Sequence, residues 1–403
     1  MPAPLEGIRV VEVANWLAAP AATRIMADLG ADVIKIEPPG GDGFRHFVLQ
    51  SLGYDYDFQE SPAFELDNFG KRSITVDLDR PGGPEVVQQL ASTCDVFVSN
   101  LTRERRERYG LGWEQLSAAN PRVVYASLTG YGTRGPDQDR TGFDYAAFWA
   151  RSGIMALIGE PDEPPPPCRA GQGDHATSLN FFGAIMVGLR QRDATGEAQH
   201  VEVTLQGTGM WTIAGDFSSA LVARHNPPRM SRKAPTHPLR NIYQCADGKW
   251  VLLVNPAPFP HRWPAFCDML GHPEWAASGH WDSMLKLIKH SGEIVAAIDE
   301  IMVTRALAYW GAELDRRGII WAPVATMMDV INDPQVREMG WITETEGSFG
   351  PIETLDTPFK IYGAGAGVQG PAPTPGQHTF EVLAELGIDD NDLDRLAMNG
   401  VLG

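Results

Sequence analysis

The stretch Gly171-Gln172-Gly173-Asp174-His175-Ala176-Thr177 concentrates more reactive chemistry than any other in this 403-residue chain. It follows four consecutive prolines, Pro164 to Pro167, which cannot sit inside a helix and read as extended loop. It precedes Leu179, Phe182, Ile185, Met186 and Leu189, whose helical spacing predicts one buried face. Asp174 is therefore expected at the N-cap of that helix, ionised near neutral pH because the free N–H groups there favour a carboxylate. Two roles fit such an acid. It is a helix cap and nothing more, or it is a nucleophile toward an activated acyl group in a glycine-lined turn. Lys71 and Arg72 offer a second locus where they leave a tight turn at a strand edge, as a phosphate clamp or as a solvated basic pair. The glycine-rich turn from Thr129 to Pro136 ends a strand, on the edge where α/β sheets bind ligands.

The elements that must position these residues are legible in order. Residues 8–13 read as a strand, 18–29 as a helix with Pro20 in its first turn and Gly30 as its stop, and 32–37 as a second strand. This βαβ unit predicts a parallel sheet. Its first turn, Ala14 to Pro20, lacks the G-x-G-x-x-G phosphate turn, so Glu37 at the end of the second strand does not make a nicotinamide site. Further strands are expected at 74–78, 96–98 and 123–128, and through the alternation Val201, Val203, Leu205. A helix is expected over 83–93, and another opening at Phe143-Asp144-Tyr145. Arg103, Arg105, Arg106 and Arg108, interleaved with Glu104 and Glu107, read as surface pairs on a helix. From about residue 224 the texture turns to extended linker. Segments 241–244 and 250–254 then flank the hairpin turn Ala246-Asp247-Gly248, followed by helical stretches at 264–270 and 294–309. Residues 318–324 and strands near Trp341 and Phe359 suggest a return to α/β material, closed by a helix over 379–386.

A chain of this length predicts two domains. A net charge of −18 argues against a nucleic-acid or anionic-membrane surface, both of which need a basic face. Cys94, Cys168, Cys245 and Cys267 lie far apart without a C-x-x-C pair, suggesting neither zinc site nor disulfide framework and a reducing cytoplasm. No stretch approaches a membrane span, and no basic-then-apolar leader opens the chain.

Taken together the segments resemble the family III CoA transferases, the superfamily of formyl-CoA transferase, crotonobetainyl-CoA:carnitine CoA-transferase and α-methylacyl-CoA racemase. The likeness is carried collinearly by Leu5-Glu6-Gly7-Ile8-Arg9-Val10, Leu29-Gly30-Ala31-Asp32-Val33-Ile34-Lys35-Ile36-Glu37, Lys71-Arg72-Ser73-Ile74, Asn120-Pro121-Arg122-Val123-Val124-Tyr125-Ala126-Ser127, Gly173-Asp174 and Gly376-Gln377-His378-Thr379. It implies an α/β protein with a large Rossmann-like domain built from both chain ends (residues 1–225 and 313–403) and a smaller middle α+β domain (226–312). It also implies a homodimer of two chains threaded as interlocked rings, and CoA as substrate, with no permanently bound cofactor. Asp174 falls on the family's catalytic aspartate, whose carboxylate takes the acyl group from the donor acyl-CoA before CoA passes to an acceptor carboxylic acid.

The CoA contacts implied by resemblance are Leu17, Ala18, Asn68, Phe69, Gly70, Lys71, Asn100, Leu101, Thr102, Arg108, Thr141, Gly142, Phe143 and Asp144, with Lys71 and Arg108 near the phosphates. Pro38 stands where formyl-CoA transferase has an arginine, and Leu17 replaces a glutamine near the acyl site. Pro235 to Asn241 stands in place of that enzyme's glycine-rich covering loop. The racemase branch pairs His with Asp as one acid/base arm; here the pair is Phe143-Asp144, and phenylalanine cannot move a proton. A transferase acting on a medium-sized, aryl or branched acyl group is the reading that follows, with a 2-methylacyl-CoA racemase and a non-catalytic CoA-binding protein as alternatives. Phe143, Phe148 and Trp149 are either apolar lining for that acyl group or core.

Overall fold

The computed structural model describes residues 2–47, 53, 61–255 and 262–403. The chain divides into two compact units, one of Met1–Ile154, Cys168–Ser218 and Pro334–Gly403, the other of Met155–Pro167 and Ser219–Asp333.

The large unit is built on six strands: β1 (Arg9–Val13), β2 (Asp32–Glu37), β3 (Arg72–Thr75), β4 (Val96–Ser99), β5 (Val124–Thr129) and β6 (Gln199–Thr204). All pair in parallel in the order β3-β2-β1-β4-β5-β6. Val10 pairs with Val33 on one side and with Val96 on the other, which fixes the register at the centre. Val10, Val11, Val13, Ile34, Ile36 and Phe97 are all buried, the near-continuous apolar pattern of a parallel sheet covered on both faces. The order reverses direction between β1 and β4, so the crevice outside their carboxyl ends is where this topology binds ligands.

The helices of this unit's first half are α1 (Ala18–Asp28), α2 (Pro62–Asn68), α3 (Gly83–Ala91), α4 (Arg103–Arg108) and α5 (Trp113–Ala119). The segment Asp144–Ala150 is a π-helix, and Gln172–Thr195 is a long α-helix. That long helix buries Ile185 and Leu189 as expected, together with Phe181 and Gly188, while Phe182 and Met186 are half-buried and Leu179 is 45% exposed, because apolar residues lie all round it. Leu205, expected to end the last strand, instead opens a helix, since the Thr204 hydroxyl accepts the Gly207 N–H at 2.9 Å and caps it.

Toward the C-terminus the large unit carries an antiparallel hairpin, Ile342–Gly347 with Gly350–Leu355; Phe359 lies outside it. The helices Thr379–Glu385 and Asp390–Met398 bring Val382, Leu383 and Leu393 into the same core as Ile74 and Val86.

The small unit holds β7 (Arg240–Gln244), β8 (Trp250–Val254) and β9 (Trp321–Pro323) in one antiparallel sheet. Helices Arg262–Met269, Ser291–Met302 and Leu307–Arg316 pack with it around Tyr243, Phe266, Ile298 and Leu314. Because β9 pairs with β8, this unit continues past the expected boundary at residue 312 to Asp333. The helix expected over 294–309 is two helices. The hairpin turn grips the break: the Ala246 N–H donates to the Arg305 carbonyl at 2.9 Å, and Asp247 accepts the Leu307 N–H at 3.3 Å. Among the described residues no helix is long and apolar enough to cross a membrane.

Candidate active site

After β1 the chain turns through Asn15-Trp16-Leu17 into α1, and after β4 it turns through Asn100-Leu101-Thr102 into α4. The two turns clasp each other across the sheet's reversal. The Asn15 N–H donates to Asn100 Oδ1 at 3.2 Å, and Asn100 Nδ2 donates to the Asn15 carbonyl at 2.7 Å. A cleft of about 340 Å³ opens here, walled by both turns, by Thr129 and Gly130 at the end of β5, by Thr141-Gly142-Phe143, and by Asp174. Gly130 and Gly142 touch so closely that a Cβ on either would lie 2.7 Å from the other's Cα, which bars any side chain from this wall.

The first turn is held under strain. Trp16 has a left-handed backbone, φ 69°, unusual for a bulky residue. Asp42 Oδ1 accepts the Trp16 N–H at 3.1 Å and also the Phe44 N–H at 2.9 Å. Asp42 Oδ2 lies 2.9 Å from Lys35 Nζ, which in turn donates to Glu12 Oε1 at 2.8 Å and to the Ala14 carbonyl at 2.9 Å. The Trp16 ring, 44% exposed, meets Phe143 edge to face at 5.9 Å between centroids, and Phe143 is 53% exposed. Both rings therefore present apolar surface to the cleft.

Asp174 is the third residue of its helix, not the cap. Gly171 is the N-cap, in a left-handed conformation (φ 86°) that favours glycine. Asp144 Oδ2 accepts the Gly171 N–H at 2.6 Å, and a Cβ on Gly173 would lie 2.2 Å from Asp144 Oδ1 and 2.4 Å from the Phe148 ring. The helix start is thus pressed against the π-helix, and Asp174 is left half-buried at the cleft wall. Burial, and after it the Asp144 carboxylate, push the Asp174 carboxyl up to about 7, with His175 pulling the other way. The expected full ionisation near neutral pH is corrected: loss of water and a second acid outweigh the helix N-terminus. Burial raises Asp144 as well.

Of the residues singled out beforehand, Leu17, Ala18, Asn100, Leu101, Thr102, Thr141, Gly142, Phe143 and Asp174 meet at the cleft. Asp144 sits behind it as the anchor just described. Asn68, Phe69, Gly70 and Lys71 do not reach it. Lys71 Nζ is buried and spends its donors on Glu12 Oε2, the Pro20 carbonyl and Asn68 Oδ1, each at 2.9 Å. That leaves no N–H for a phosphate, so the clamp reading of Lys71 is corrected. Arg72 is taken up by Asp32 and Glu385. Arg108 does not line the cleft; it pairs at 2.9 Å with Asp79, which borders a smaller neighbouring cavity. Phe148 and Trp149 are buried against each other under the Asp174 helix, which makes them core rather than lining.

The sequence reading passed over Asn15, Trp16 and Arg105. Asn15 Oδ1 is buried at the cleft floor without a hydrogen-bond partner. Arg105 borders both the cleft and a smaller cavity of about 120 Å³ beside Glu37, Pro38 and Asp79, and makes no ion pair among the described residues. Its place in an Arg/Glu run hid it, whereas the position of Asn15 two residues past β1 was a usable signal.

This is a doubly wound α/β protein with a carboxylate, in place of a glycine-rich phosphate turn, at its switch-point cleft. Residues 5–379 match the family described as CoA-transferase family III. The chain is 30% identical over 396 residues to the (R)-2-hydroxy-4-methylpentanoate CoA-transferase of Clostridioides difficile, covering 97% of each chain. It is 32% identical over 394 residues to the succinate–glutarate CoA-transferase of Agrobacterium fabrum, covering 95% of this chain and 96% of that one. Among solved structures, a CAIB/BAIF family protein from Brucella suis superposes with a TM-score of 0.85 at 30% identity, over 96% of this chain and 100% of that one. The chain belongs to CoA-transferase family III. It is a CoA-transferase, and its substrates are CoA thioesters.

Proposed function

We propose that CoA passes from an acyl-CoA to a free carboxylic acid through covalent intermediates on Asp174. The observation that carries this reading is the place of Asp174 in the switch-point cleft, where the other lining carboxylate, Asp139, is bound by Arg103 and Asp174 is engaged by no arginine or lysine among the described residues. The Asp174 carboxylate adds to the thioester carbonyl; the C–S bond breaks, giving an acyl–aspartyl anhydride and CoA thiolate. The thiolate then attacks the Asp174 carbonyl carbon, releasing the donor acid as its carboxylate and leaving an aspartyl-CoA thioester. The acceptor carboxylate and the thiolate repeat the two steps in reverse order, regenerating Asp174 and the new acyl-CoA. A carboxylate suits the exchange because anhydride and thioester are close in energy, whereas a serine ester would be a trap.

In this reading the nucleotide end of CoA lies toward the smaller cavity by Glu37 and Pro38, and Arg105, common to both cavities, faces the phosphates. It takes the place of the arginine that Pro38 replaces. Trp16 and Phe143, with Leu17, favour an aryl or branched acyl group of medium size. The relatives named above act on a branched 2-hydroxy acid and on dicarboxylic acids, and the exposed aromatic pair supports the branched over the dicarboxylic kind. Racemase chemistry finds no histidine at position 143 to serve as a base. A homodimer, interlocked as the resemblance implies, would cover the helix Ala214–Ala223, which buries no residue although Leu221 and Val222 are 62% and 85% exposed.

The test is trapping during turnover. Hydroxylamine or borohydride added with an acyl-CoA should modify Asp174, read by peptide mass spectrometry, and Asp174→Ala should abolish CoA exchange between acids while CoA still binds. An unmodified Asp174, or exchange surviving in the variant, ends the covalent reading.

A further inference from the structure

His175 follows Asp174 in the first turn of the same helix, and its ring lies between two acceptors. Nδ1 is 3.0 Å from the Gly171 carbonyl oxygen, and Nε2 is 3.1 Å from Asp67 Oδ1 on α2. A carbonyl oxygen only accepts, and so does a carboxylate; a neutral imidazole carries a single N–H. A neutral ring satisfies both contacts only if Asp67 takes the proton. Otherwise the ring is an imidazolium, donating at both ends. Asp67 is 2% exposed, and its Oδ2 is buried with no partner, so an unopposed charge there would be costly. The His175 side chain, 46% exposed, reaches it from the solvent side.

We propose that Asp67 and the Gly171 carbonyl hold His175 as an imidazolium, and that this cation is the counter-charge that lets the neighbouring Asp174 ionise as a nucleophile. Asp144 and Asp67 both oppose its ionisation, and His175 alone among its named neighbours favours it. Burial works against charge on His175, but Asp67, the Gly171 carbonyl and Asp174 together carry its affinity for the proton above the ordinary histidine value. His175 is a positioning residue: it acts on the reaction through Asp174. The same two contacts leave its ring no free lone pair, so it cannot remove an α-proton. The charge state of the ring stands on geometry alone; its catalytic consequence rests on Asp174 being the nucleophile.

Two measurements separate these parts. Ring ¹⁵N NMR of the full chain at pH 7, with the resonances assigned by their loss in His175→Gln, should show both nitrogens protonated. In Asp67→Asn the ring should give up its proton at lower pH. A neutral ring at pH 7 in the wild type overturns the proposal, whatever Asp174 does. In the second measurement, CoA exchange between acids is followed from pH 5.5 to 9. His175→Gln should move the acid limb up by about one pH unit, so that the rate at pH 6 falls about tenfold and the loss narrows as pH rises. A loss of the same size at every pH assigns His175 to structure and refutes the electrostatic role. Exchange surviving in Asp174→Ala would remove the nucleophile while leaving the NMR result to stand or fall alone.

Discussion

Two acids in the large unit are both raised by loss of water, yet they end on opposite sides of the ordinary carboxylate range. Glu12, near the end of β1, is fully buried, yet Lys35 and Lys71, one at each carboxyl oxygen, overcome the loss of water and hold its carboxyl at about 2. Asp174 stands among Asp144 and Asp67 with a single histidine to offset them, and its carboxyl rises to about 7. The difference lies in the company each acid keeps. Glu12 has two ammonium partners plus the Thr23 hydroxyl and is a fixed charge that braces the sheet. Asp174 is left short of partners and is therefore able to change its bonding, which is what a nucleophile requires.

Removing charge from each acid should break the likeness in opposite senses. Glu12→Gln leaves two buried lysines facing a neutral amide and should destabilise the fold by about 3–5 kcal/mol, read by chemical denaturation at pH 7. A loss below about 1 kcal/mol would mean that the network is replaceable. Asp174→Asn should do the reverse. Its carboxyl titrates near 3.8 when unfolded and near 7 when folded, so the native state loses stability as pH climbs between those values and no more above them. The amide escapes this and should stabilise the fold at pH 8 by on the order of 2 kcal/mol, with the gain gone by pH 4 and transfer abolished. An Asp174→Asn protein no more stable than wild type at pH 8 would contradict the displaced titration.

A gentler probe is the wild-type pH profile. Transfer should climb through pH 7 as Asp174 ionises, falling about tenfold per unit on the acid side. A rate flat from pH 5 to 8 would show Asp174 to be ionised throughout. The smallest expected effect is on selectivity. Trp16→Ala should lower the preference for aryl over short straight-chain acyl-CoA by about 1–2 kcal/mol in kcat/KM, with stability little changed. An unaltered ratio would place the acyl group elsewhere.

The sheet was readable from the sequence because parallel strands covered on both faces announce themselves as apolar runs; Val10 to Val13 and Val33 to Ile36 are such runs. Asp174 stood out through its glycines and the helix after it. Its charge state did not, since that is set first by burial in the fold, then by Asp144 and by Asp67, the latter 107 positions away in the chain. Lys71 misled for the same reason. A lysine beside an arginine reads as surface, and only the fold brings Glu12, 59 residues distant, to its ammonium group. On the face of the long helix, Phe182 was expected where Phe181 is buried, because the two are adjacent and either serves a helical pattern.

The left-handed backbone at Trp16 has a further implication for anyone selecting heat-tolerant variants of this chain. Glycine at position 16 would relieve about 1 kcal/mol of backbone strain and would be favoured by a thermal screen. The survivors of such a screen would be sturdier proteins with a bare cleft rim, less able to tell one thioester from another.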